Sequence, residues 1–113
     1  MVAKNQLLQA PPYAVEQALT RLGQNLRTAR IRRNLTIDEV AQKIGTGRRA
    51  VMDAEKGKTS TSIGVYTALI WVYDLLQPFR DVANPANDDQ GLSLVSAKER
   101  TRVRKSVGLD NDF

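Results

Sequence analysis

Residues 35–58 read LTIDEVAQKIGTGRRAVMDAEKGK, and their punctuation predicts two short helices joined by a tight turn. Thr36 with Glu39 three residues later has the form of a capping box, in which each side chain satisfies the other's backbone amide. Leu35 and Val40 are placed to form the accompanying hydrophobic staple, and Val40, Ala41 and Ile44 give one apolar face. Gly45 ends this helix after about two turns. A second helix follows at once, with Thr46 as its expected cap, Val51 and Ala54 as a narrow apolar face beside Ala50, and Gly57 as its end. So short a connection forces the two helices to cross steeply with small residues at the contact, the geometry of a helix-turn-helix.

Upstream, Pro11 and Pro12 close a loose arm over residues 1–12. Val15, Leu19, Leu22, Leu26 and Ala29 then recur at alternating spacings of four and three, one face of a helix. Asn34 is suited to a left-handed C-terminal position. Downstream, Ser62 is the expected cap of an apolar helix over residues 63–76, IGVYTALIWVYDLL. A helix apolar on most sides belongs in a core or under a partner. Pro78 is expected to open one further short helix, Phe79 to Ala83. From Asn84, NPANDDQG reads as a linker, and the remainder to Phe113 shows no helical period. The expected organisation is an arm (1–12), an all-α folded domain (13–83), and a linker with a mobile tail (84–113).

The 113 residues carry a net charge of +5. All of the excess lies before residue 85; the rest is balanced. A basic folded part suits a polyanionic partner. There is no cysteine and no histidine, which removes thiol chemistry, the commonest general base and the commonest metal ligand. The acids are scattered over helix surfaces, so no catalytic residue, metal site or cofactor is expected, and the chain does not read as an enzyme. No apolar run resembles a secretion signal or approaches a membrane span, and the expected location is cytoplasmic.

Residues 22–76 resemble the Cro/repressor-type (XRE) helix-turn-helix family. The matching residues are Leu22-Gly23, Leu35-Thr36, Glu39-Val40-Ala41, Ile44-Gly45, Val51, Glu55, Gly57-Lys58 and the apolar helix after Ser62. The resemblance implies a five-helix lambda-repressor-like fold whose second helix lies across the DNA backbone and whose third enters the major groove. The N-terminal end of a groove helix reaches the bases. That end holds Arg48 and Arg49, with Met52 and Asp53 on about the same face, as base-reading candidates. Arginine pairs bidentately with guanine, methionine suits a thymine methyl, and aspartate accepts from a cytosine amine. Backbone candidates are the Ile37 amide, Thr46, Gly47, Lys56, Lys58, Thr59 and Ser60. Ile37 departs from the family pattern, which has a phosphate-binding Gln there, and Thr61 stands where the loop usually has Pro. Arg30 and Glu55 match a structural ion pair of the family.

The family's fifth helix implies a two-fold dimer, here through Leu75, Leu76, Phe79 and Val82, on an inverted-repeat operator of double-stranded DNA. Trp71 stands where a polar residue is usual. With Phe113 it is a candidate for contact with a protein partner, since aromatic anchors are enriched at interfaces. The short basic tail with its acidic-aromatic tip is similar to the HipB branch. That likeness implies a nucleoid-associated bacterial autorepressor of a toxin–antitoxin operon, bound to a HipA- or HipT-like kinase toxin with or without a small HipS-like protein. The alternative is a free-standing or phage-like regulator with no toxin partner.

Overall fold

A computed structural model describes residues 5–111, with side chains placed through residue 105. These residues form seven α-helices and one short 3-10 turn, without strands. The chain divides into two compact units, one ending at Phe79 and one beginning at Arg80.

The first unit opens with α1 (Gln6–Gln9), capped by the Asn5 side chain. The segment expected as a loose arm thus contains a turn of helix. Leu8, Gln9 and Pro11 line a groove with Glu16, Thr20 and residues 56–60. Helix α2 (Tyr13–Arg32) follows, and its buried positions are Gly23, Leu26 and Ala29, with Leu19 and Leu22 packed at the margin. Val15, read as part of the apolar face, is exposed. Asn34 takes the left-handed conformation expected of it, φ 54°.

Helix α3 (Ile37–Ile44) starts on the capping box: the Glu39 amide donates to Thr36 Oγ1 at 3.1 Å, and the Thr36 amide to Glu39 Oε1 at 3.0 Å. Those hydrogen bonds hold the Glu39 carboxyl below the usual carboxylate range. Gly45 ends α3 at φ 76°. Helix α4 (Arg48–Glu55) then begins from Gly47, with no side-chain cap. Thr46, expected as that cap, lies one residue too early; its amide instead closes α3 on the Ala41 carbonyl at 2.9 Å.

Helix α5 (Ile63–Val72) is capped by Ser62 as expected, but it stops four residues earlier than its apolar run. Asp74 sits at φ 59° and breaks the helix. Helix α6 (Leu76–Arg80) therefore starts before Pro78 and holds it in the first turn, where a missing amide costs no hydrogen bond. It also ends before Ala83, which takes a left-handed φ of 58°.

The core joins Leu26, Ala29, Val40, Ala41, Val51, Ala54, Tyr66, Leu69, Ile70 and Tyr73. Each fully buried large side chain contributes about 1.5–3 kcal/mol. Tyr73 is the largest of them, and burial pushes its phenol up to about 12. Arg33 lies 5.5 Å from the centre of its ring and donates to its backbone carbonyl at 2.8 Å.

In the second unit, Asn84 caps a 3-10 turn at Pro85–Asn87, and α7 (Asp89–Asn111) follows. The segment read as linker and mobile tail is thus helical through most of its length. Periodicity missed it because polar residues separate its few apolar ones; Leu92, Leu94, Val95 and Val103 are all exposed. Its helicity rests on good helix formers such as Leu, Ala, Lys, Glu and Arg, on length, and on Asp88, whose Oδ1 accepts from the Gly91 amide at 3.0 Å.

Gly23 decides how α2 meets α4. A Cβ there would stand 2.6 Å from the Glu55 carbonyl oxygen and 2.7 Å from that of Ala54. Gly57, at φ 71°, approaches the α2 backbone at Leu19 in the same way. Gly23→Ala should therefore destabilise the fold by about 1–3 kcal/mol, the usual cost of overpacking, read as a lower thermal midpoint.

Candidate nucleic-acid interface

The placement of α4 is set first by Arg30 of α2. Its Nε donates to Glu55 Oε2 at 2.7 Å and its Nη2 to Glu55 Oε1 at 3.0 Å, a bidentate grip on the last residue of α4. Its Nη1 donates to the Leu35 carbonyl at 2.9 Å, tying the approach to α3 into the same group. Both side chains are nearly closed to solvent, and the Glu55 hydrogen bond holds the Arg30 pKa above its ordinary value despite burial. The ion pair expected from Arg30 and Glu55 is present.

With its C-terminal end anchored, α4 buries Val51 and Ala54 and presents Arg48 and Arg49 outward from its first turn. Cations at a helix N-terminus oppose the macrodipole by about 0.3–1 kcal/mol each. Here no acidic residue of α4's first turn and no side-chain cap offsets them. Such a local conflict is characteristic of a binding site, because a polyanion relieves it.

The cations have acidic neighbours supplied by other parts of the motif. Arg48 Nη1 lies 3.2 Å from Oδ2 of Asp38, in the first turn of α3, and both side chains are exposed. Arg49 Nε lies 3.4 Å from Asp53 Oδ1, and Lys58 Nζ lies 3.3 Å from the same oxygen. That oxygen is closed to solvent, and neither cation meets it with hydrogen-bond geometry. Asp53 thus stands between a residue of α4's first turn and one of the following loop. Met52 is half-buried beside it.

The other expected residues fall into two groups. Lys56 and Ser60 are exposed, and Thr59 lies with them along the groove shared with α1 and α2. This loop is held by Tyr66, whose hydroxyl donates to the Lys58 carbonyl at 2.7 Å. Gly47 is exposed at the α4 N-cap, and Thr46 is half-buried. The Ile37 side chain packs against the core, which leaves its amide in the first turn of α3 as the polar group it offers. Asp38 and Tyr66 were not expected to bear on this site. Asp38 had no signal beyond its place beside Ile37, and Tyr66 lay unremarked within the apolar run of residues 63–76.

Two helices, α3 and α4, pack together across Gly45–Gly47, with exposed arginines at the start of the second. Compared with known protein families, residues 21–83, more than half of the chain, match the helix-turn-helix domain. The chain belongs to this helix-turn-helix family, of the XRE-like kind. No curated protein and no solved structure shows a significant match to it. No helix among the described residues is long and apolar enough to cross a membrane, and no group of acidic residues there clusters as a metal site would. In the helix-turn-helix, Arg30 locates α4 through Glu55. Glu55→Ala leaves the part-buried Arg30 without its anion and should cost about 1–3 kcal/mol in chemical denaturation.

Proposed function

We propose that this helix-turn-helix protein is a dimeric, sequence-specific transcriptional repressor that lays α4 in the major groove of an inverted-repeat operator. The observation that carries the reading is the pair of exposed arginines at the uncapped N-terminus of α4. Arg48 and Arg49 face base edges, with Met52 and Asp53 beside them. The Ile37 amide, Thr46, Gly47, Lys56, Lys58, Thr59 and Ser60 meet the phosphates. Leu75, Leu76, Phe79 and Val82 form the dimer contact. Leu75 and Val82 are exposed, whereas Leu76 and Phe79 also pack in part on the chain's own core.

Arg48→Ala should lower the ratio of operator to random-DNA binding by about 1–3 kcal/mol and relax preference at one or two base pairs per half-site. Lys58→Ala should weaken both alike and reduce the salt slope. Fluorescence anisotropy across a salt series separates the two effects, and an unchanged ratio in Arg48→Ala would reject the recognition-helix assignment.

Within this reading, the operon regulated is a toxin–antitoxin operon, and the partner is a HipA- or HipT-like kinase toxin, with or without a HipS-like small protein. The support is the likeness of the chain's ending to the HipB branch, together with the 59% exposure of Trp71. Phe113, the other partner candidate, lies outside the described residues. Pull-down of such a kinase should succeed with the full chain and weaken in Trp71→Ala or on deletion of residues 91–113. Failure of the intact chain to capture it would leave a free-standing regulator.

A further inference from the structure

From the Arg48–Asp38 geometry we infer that Asp38 is a specificity-determining positioning residue, which holds the Arg48 guanidinium by one nitrogen and leaves its other edge free for a guanine. The inference rests on the DNA-binding reading above and deepens it.

Both Asp38 oxygens lie near the same nitrogen, Arg48 Nη1, at 3.4 Å and 3.2 Å. A guanidinium has five donors in a rigid plane, so this contact leaves the Nε–Nη2 edge open. The same chain shows what that edge does: Arg30 uses Nε and Nη2 to grip the two Glu55 oxygens. Guanine N7 and O6 present an equivalent pair of acceptors. Asp38 therefore draws Arg48 toward α3 without occupying the edge that reads.

Stability does not account for the pair. Both side chains are exposed, and such surface ion pairs contribute little to folding. Asp38 has no part in capping α3 either, since Thr36 and Glu39 form the capping box. A carboxylate in the first turn of α3 stands where the motif approaches phosphate, and there it repels DNA unless a cation neutralises it. Arg48 supplies that cation, and the repulsion keeps the pair together on the DNA. At a site without the matching guanine, Arg48 gains by turning to a phosphate, but doing so exposes the Asp38 charge. Asp38 thus penalises non-specific binding while orienting the specific contact.

The test uses the full chain and a duplex selected by the wild-type protein from a randomised library, with a scrambled duplex of the same composition as control. Asp38→Ala and Asp38→Asn should bind the scrambled duplex more tightly. The ratio of selected to scrambled affinity should fall by about 3- to 10-fold, part of the discrimination that a bidentate arginine–guanine contact carries. Repeating the selection should show the loss at the base pair that Arg48→Ala also relaxes. In an Arg48→Ala background, Asp38→Ala should leave the ratio unchanged. Equal gains on both duplexes would reduce Asp38 to bulk charge and overturn the inference. So would a large fall in thermal midpoint, beyond the small loss that removing a first-turn acid of α3 brings, because it would indicate a structural role. If the wild-type chain enriches no sequence at all, the DNA-reading proposal itself fails, and the role of Asp38 fails with it.

Discussion

The Arg30 guanidinium connects three parts of the molecule that would otherwise be free to slide. It lies near the C-terminal end of α2, grips the last residue of α4 through two nitrogens, and holds the Leu35 carbonyl through the third. Charge alone would not fix that arrangement, since ion pairs are tolerant of distance. The bidentate fork supplies direction, and the two glycines supply proximity. Gly23 lets α2 come within contact of the final carbonyls of α4, and Gly57 lets the chain turn away against the backbone at Leu19. A larger residue at either place would press its Cβ on the opposing backbone and push the two apart, straining the fork.

The surface that this anchoring presents is in electrostatic tension. Arg48 and Arg49 stand at the positive end of α4, and the acids that answer them come from elsewhere: Asp38 from α3 and Asp53 from the following turn of α4. Lys58 shares the Asp53 oxygen, so the first turn of α4 and the loop after it are joined through one carboxylate. Tyr66 holds that loop from beneath by a hydrogen bond to the Lys58 carbonyl. Folding stability and site geometry therefore meet at α5, whose inner face is core and whose first turns support the loop. Its outer face, with Ile63 and Trp71, remains exposed.

The helix-turn-helix was legible because each of its boundaries is a local event. The Thr36–Glu39 box, the left-handed Gly45 and the Ser62 cap are all settled within three or four residues, and each stands where it was expected. The misplaced boundaries have equally local causes. Asp74 breaks α5 with a left-handed φ that its apolar neighbours concealed. Gly47, lacking any capping side chain, begins α4 where Thr46 looked better suited. Among the described side chains of α7, Leu92, Leu94, Val95 and Val103 are all exposed, so the helix shows no buried face that a reading based on periodicity could detect there.

The sequence by itself determined the all-α class, the short two-helix motif and the pair of arginines that opens its second helix, because helix caps and apolar spacing act through neighbours along the chain. It also determined the partnership of Arg30 with Glu55, through likeness to a known pattern. Only the tertiary structure decided that Gly23 is a contact point, that Tyr66 supports the loop after α4, and that Asp38 faces Arg48. Those relations join residues eight to thirty-odd positions apart, or join α3 to α4 across their turn. Spacing along a helix carries no information about such pairs. They exist because two backbones cross at a distance set by small residues, and that crossing brings each side chain to its partner.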